Sequence, residues 1–159
     1  MANEVTDASN LLMVAGECNK EENRRLLLKK IASSGNVIGL KLVRTDQVIK
    51  QFGPGLPDEQ ISGAVVRNTI EAKQPSYILE SRNGVPLFRA ITPYVVSHDF
   101  HGTDCLACHH VEVGSVNGAS DVSFDLSTEF SRLNGIIIWL VIGQVVVQVL
   151  LFFILRSVN

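Results

Sequence analysis

Residues 98–110, His-Asp-Phe-His-Gly-Thr-Asp-Cys-Leu-Ala-Cys-His-His, hold all four histidines and two of the three cysteines of the chain. Cys105 and Cys108 form a C-x-x-C pair, and His109 follows the second thiol directly. That spacing matches the separation of the two vinyl groups of a haem, so each thiol can form a thioether while the adjacent imidazole comes under the iron. The residues thus predict one covalently attached haem c, with Cys105 and Cys108 as attachment points and His109 as proximal iron ligand. Two other chemistries use the same side chains. Zinc would need four ligands, gathered from Cys105, Cys108, His109 or His110, and His101. A thioredoxin-like dithiol would need the pair at the start of a helix after a strand, whereas Val111 to Gly118 returns toward a strand.

The distal side of the iron has three candidates. His98 and His101 precede the motif in the same loop and can reach across the ring, although polar loop histidines are commonly just solvated. Met13 lies on an apolar helical stripe, where a methionine is core filler or, failing that, a thioether ligand from this chain or a second copy. His110 is expected to face a propionate or solvent. Arg89, in the strand leading to the loop, could pair a propionate or lie exposed.

These residues need elements to hold them. The 159 residues allow one globular domain of roughly 100 residues plus an anchor. Gly135 to Leu155 is an uncharged run of 21 residues, enough at about 1.5 Å each to span a hydrocarbon core of about 30 Å. Only Gln144 and Gln148 interrupt it; they are four apart on one face, which predicts self-association or a partner membrane helix. Arg132 and Arg156 flank the run one at each end, so flanking charge does not orient it. The 14 basic and 16 acidic residues form no basic stripe, which argues against nucleic acid as a partner. No base, nucleophile or substrate cleft can be defined, so no enzyme is expected. The first residues, MANEVTDASN, carry neither the basic start nor the apolar core of a secretory signal, and the chain is expected to be a fragment of a longer protein. Cys18 is left unpaired.

Glu4 to Ser34 reads as one long helix: Leu11, Val14, Ala15 and Cys18, then Leu27, Ile31 and Ala32 recur at helical spacing, with Gly35 as its left-handed cap. The charges of KEENRRLLLKK fit ordinary pairing on a solvated face. Val37 to Arg44 and Gln47 to Phe52 read as a strand pair. Asp58 is placed to cap a helix through Ala72, with Ile61, Ala64 and Val65 facing inward. Tyr77 to Ser81 and Val85 to Val96 flank Asn83-Gly84, a hairpin signal. Ser115 to Asp125 alternates, with Val116, Val122 and Phe124 set against Asn117, Asp121, Ser123 and Asp125. From Ser127 the pattern is helical into the membrane. The expected architecture is α+β, a long N-terminal helix packed on an antiparallel sheet, followed by one C-terminal transmembrane helix. Its parts are 1–34, the N-terminal helix; 35–126, the haem domain; and 127–159, the juxtamembrane and transmembrane helix.

V-I-G-L-K-L-V-R-T with Q-F-G-P-G, P-L-F-R-A-I-T-P-Y, C-L-A-C-H-H and V-G-S-V-N-G-A-S-D-V-S-F-D-L, leading into the membrane helix, resembles the extracytoplasmic haem c sensor domains, PAS-like or Cache-like, of bacterial methyl-accepting chemotaxis and related signalling proteins. The stretch runs from Leu11 to Leu155. The resemblance implies a PAS-like sheet, a haem domain on the periplasmic side of an inner membrane, and a redox or diatomic-gas signal; the expected partner of the membrane helix is a second copy, as a homodimer, or another membrane helix. It assigns Cys105 and Cys108 to attachment and His109 to the iron. Such sensors usually continue into a HAMP segment and a transmitter, and this chain stops at L-R-S-V-N; an electron-transfer haem subunit of a membrane complex, with a redox partner, is the alternative.

Overall fold

The computed structural model describes residues 2–17, 20–33 and 36–158. The expectations for Cys18 and for Gly35 as a helix cap fall outside those residues. Elements follow in the order α1 (Ala2–Val14), α2 (Glu21–Ala32), β1 (Val37–Arg44), α3 (Asp46–Phe52), a single 3-10 turn at Pro57–Glu59, α4 (Ala64–Ala72), β2 (Ser76–Arg82), β3 (Val85–Val95), a second 3-10 turn at Cys105–Ala107, β4 (Val116–Asp125) and α5 (Ser127–Val158). The chain divides into two compact units, one ending at Asp125 and the other beginning at Leu126. The fold is mixed α and β, with a four-stranded antiparallel sheet and a long apolar helix at the C-terminal end.

The long helix is therefore the C-terminal one. At the N-terminal end the expected single helix is two. Gly16 ends the first at φ +68°, with its N–H donating to Met13 O at 3.0 Å, a conformation glycine adopts without steric cost. The helical stripe continues across Gly16, which is why periodicity alone hides the break.

The sheet order is β1-β4-β3-β2, so β4 is central and lies between β1 and β3. Each face of the sheet has its own core. On one, Val37, Val122 and Phe124 pack with Val5 of α1 and Ile31 of α2. On the other, Val43, Ile91 and Ala119 pack with Val66 and Ile70 of α4. Since both faces are covered, the polar alternants of β4 do not face solvent as expected: Asp121 and Ser123 are buried. Arg89 reaches Asp121 with two hydrogen bonds of 2.8 and 2.6 Å, so it is half-buried and taken rather than exposed or set against a ligand.

Gln47 to Phe52, expected as a strand, belong to helix α3. Asp46 in the first turn and Lys50 in the last suit the helix dipole, and Val48 and Phe52 lie one turn apart on one face. The helix through Ala72 starts from Gly63 rather than from Asp58, and buries Val66 and Thr69 in place of Ala64 and Val65. The β2–β3 hairpin turns at Asn83 and Gly84, both at positive φ (53° and 80°), as that dipeptide requires.

In the second unit, α5 runs 32 residues, about 48 Å. Ser127–Ser157 is long and apolar enough to cross a membrane.

Candidate functional site

The loop between β3 and β4 presents the cysteine-histidine motif on a rigid frame. Phe100 and Thr103 exchange both backbone hydrogen bonds, at 2.7 and 3.0 Å, around a turn at His101 (φ 52°) and Gly102 (φ 85°). Cys105 N then donates to Ser97 O at 3.0 Å, returning the chain to the foot of the loop. The Asp104 carboxylate accepts from Leu106 N at 2.9 Å and starts the turn that carries Cys105. That hydrogen bond first, and the nearby His98 second, hold Asp104 below the usual carboxylate range. His109 N donates to Cys105 O at 3.0 Å, which closes the backbone turn that carries both thiols. Both thiols are free.

Helix α3 clamps this loop from the side. Gln51 Nε2 donates to Cys108 O at 2.9 Å and lies 3.1 Å from His110 Nδ1, while His110 N donates to Gln51 Oε1 at 3.2 Å. One amide thus grips the backbone on both sides of His109. The Phe52 ring meets the His109 ring edge-on, with centroids 5.1 Å apart and planes at 79°. Neither residue stood out in the sequence, because a strand over 47–52 sends neighbouring side chains to opposite faces. The one-turn spacing of Val48 and Phe52 was the available signal.

Cys105, Cys108 and His109 line one cavity of about 380 Å³, within the range of cofactor and ligand sites. Its other walls come from α1, α2, β1 and α3: Met13 and Val14, Arg24, Leu42 and Arg44, Val48 and Phe52. Of the three distal candidates, Met13 alone lines it. His98 sits outside at 3.4 Å from Asp104, 70% exposed. His101 pairs with Asp7 of α1 at 2.5 Å. The physical reason lies in their partners: the tight turn at His101-Gly102 sets His101 against Asp7, and His98 stands beside Asp104 in solvent. His110 is held by Gln51 rather than by solvent alone.

Burial pushes the His109 imidazole below its ordinary pKa, with the neighbouring His110 charge adding to the effect. Its ring is accordingly neutral near pH 7, the form that donates a lone pair to a metal. His109 Nδ1 is buried with no hydrogen-bond partner among the described residues, so the ring lacks the second-shell bond that usually orients a ligating histidine. Free thiols, a neutral imidazole and a largely apolar cavity together fit a covalently held porphyrin. The zinc alternative needed four of these side chains together; among the described residues no three His, Cys, Asp or Glu side chains gather in that way. The dithiol alternative needed a helix start, and Cys105 opens only a single 3-10 turn. Compared with protein-family models and with curated proteins, the chain matches none.

Proposed function

We propose that this chain is a PAS-like, membrane-anchored monohaem c-type cytochrome domain that works on the periplasmic side of an inner membrane as a redox or gas sensor. The observation that carries the reading is the convergence of Cys105, Cys108 and His109 on one largely apolar cavity. Attachment needs no oxidant: each S–H adds across a vinyl double bond, sulfur to one carbon and hydrogen to the other. Bound haem would supply a one-electron couple and a site for diatomic ligands. The chain's own residues do the rest. His109 offers a neutral nitrogen, Phe52 and Gln51 fix its ring and backbone, and the apolar wall excludes water.

Sensing is favoured over simple electron carriage by connectivity. The motif loop leads into central strand β4, and only Leu126 separates β4 from α5. A shift of the loop therefore has a short covalent path to the membrane helix. Met13 favours the second reading, an electron-transfer subunit, because its thioether, in the cavity lining, could serve as a second and firm iron ligand.

Protein matured in a periplasm should keep its Soret absorption through acid-acetone extraction, and replacing both Cys105 and Cys108 by Ala should abolish it. Stoichiometric zinc in place of iron would end the haem reading. Carbon monoxide added to the ferrous protein should shift the Soret band within seconds, and Met13→Ala should speed the shift whereas His98→Ala should not. A ferrous wild type that stays low-spin and ignores carbon monoxide would transfer the assignment to the electron carrier.

A further inference from the structure

The motif loop leaves the sheet at one end, between β3 and β4, and the other end is built quite differently. There Leu87 pairs with Asp125 and Val37 with Phe124, so the start of β1, the finish of β4 and the Asn83-Gly84 turn lie together. Asn36 Nδ2 donates to Asp125 O at 3.1 Å and Asp125 N donates to Asn36 O at 2.8 Å, which ties β4 to the residue that precedes β1. Helix α2 runs into the same end, since a short link joins it to β1 and its Ile31 packs against the core of Val37 and Phe124.

Leu26, Lys29, Lys30 and Ser33 follow one another at i, i+3, i+4 and i+7 along α2 and are all exposed, whereas Arg24 is buried. Leu26 is 52% exposed, and Ile38 at the start of β1 is 53% exposed. Arg25 is tied to Glu21 at 2.6 Å, one turn earlier; among the described residues neither Lys29 nor Lys30 meets a carboxylate. Arg82 and Glu80 pair with each other at 2.9 Å and Asp125 is half-buried, so the two lysines set the sign of this end. The helix dipole accounts for two cations in the last turn. It does not account for an exposed leucine beside them. Apolar side chains set among cations are the composition of a surface that enters the headgroup boundary of a bilayer.

The chain itself keeps a lipid surface near this end. Nine residues, 126–134, join Asp125 to the uncharged run that begins at Gly135. Nine residues span about 14 Å as a helix and about 30 Å fully extended, so headgroups stay within reach whichever path the link takes. At the effective concentration such a tether imposes, a contact too weak to hold two free molecules together is still occupied.

We propose that Leu26, Lys29 and Lys30 form a docking surface for anionic phospholipid headgroups. The proposal rests on α5 crossing a bilayer and needs no haem. Since β4 is ten residues long, about 33 Å, docking at its Asp125 end holds the motif loop at the far end out of the lipid and open to the aqueous side.

The test is lysine acylation by a small neutral reagent, read by mass spectrometry, on the full chain in nanodiscs of phosphatidylcholine alone or with phosphatidylglycerol. Lys29 and Lys30 should react about threefold or more slowly in the anionic discs and recover in 1 M salt, where the screening length falls to about 3 Å. Lys73, whose Nζ donates to Gly114 O at 2.6 Å, and Lys50, next to Gln51, lie at the loop end and should react alike in both discs. Leu26→Asp, at an exposed position, should fold as wild type by far-ultraviolet circular dichroism and lose the protection. Equal reactivity of Lys29 and Lys30 in the two discs overturns the docking surface, as does protection that survives in Leu26→Asp. Protection that is the same in phosphatidylcholine and indifferent to salt would give the face to a second copy of the chain and refute the lipid assignment. Slowing of all four lysines alike refutes it too. A chain that does not stay with the nanodiscs through size exclusion ends the membrane-crossing reading and this proposal together, an outcome distinct from a retained chain whose lysines are unprotected.

Discussion

Gly55→Ala tests whether the charged wall of the cavity depends on a missing side chain. Gly55 has φ +69°, and a non-glycine residue in the left-handed region costs about 1–2 kcal/mol. The added Cβ also claims the position of Glu59 Oε2 and presses on Arg44 Nε and Cζ. Both obstacles are ends of side chains, which on a surface would swing aside cheaply. Here they are almost fully buried and paired with each other, so moving either breaks an ion pair that water does not replace. Breaking a buried pair costs about 3–5 kcal/mol, and since Arg24 still holds Glu59 the lower end applies. The expected loss is thus about 4–5 kcal/mol, a large part of a domain's usual 5–15 kcal/mol. Gly16→Ala is the control: φ is +68° and nothing lies within 4 Å of the new Cβ, so it should cost only about 1–2 kcal/mol. Urea unfolding of the full chain in detergent, read by pulse proteolysis, measures both while the micelle protects the apolar helix. Equal losses in the two variants would show that the Arg44–Glu59 contact is not what Gly55 serves.

Two further outcomes are expected. The Asp104 carboxylate lies below its ordinary range because the Leu106 N–H bonds it, so its stabilisation of the Cys105 turn is complete above the unfolded value of about 3.9 and lost as pH falls through the lower folded one. Leu106 amide protection should persist at pH 5 and fall away only below about pH 4; a midpoint at or above the ordinary aspartate value would contradict the capping role. In α5, single cysteines on the Gln144 and Gln148 face should cross-link a neighbouring helix in membranes, since interhelical amide hydrogen bonds are worth about 0.6–2 kcal/mol there; uniform cross-linking around the helix would remove that argument.

What the sequence made legible was local. Asn83-Gly84 announces its hairpin because two residues alone set the turn, and the 21 uncharged residues announce a helix able to cross a membrane. Residues 46–52 did not, since seven residues with apolar positions at 48, 49 and 52 satisfy a strand and a helix almost equally; packing of Val48 and Phe52 against the cavity decides for the helix. The polarity of Asp121 suggested a solvent face, but a central strand covered on both sides has none, and the bond from Arg89 on β3 is what makes its burial tolerable.

The same division runs through the site. Cys105, Cys108 and His109 are legible because one turn brings them together, while Met13, Arg24, Arg44 and Glu59 meet them only through tertiary packing. His101 shows how the two scales interact. As a polar loop histidine next to the motif it looked like a candidate for the iron, yet its turn points it to Asp7, and beside that pair Asn10 Nδ2 donates to Thr103 Oγ1 at 2.9 Å and to Phe100 O at 3.4 Å. Asp7 and Asn10 sit on the helix that also carries Met13, one turn further on. That helix ends at Gly16, so α1 is joined to α2 by a break and to the motif loop by these side chains. His101 thereby acts on the cavity at one remove: it fastens the helix that brings Met13 into the cavity lining, and any movement of the loop pulls on that helix as well as on β4.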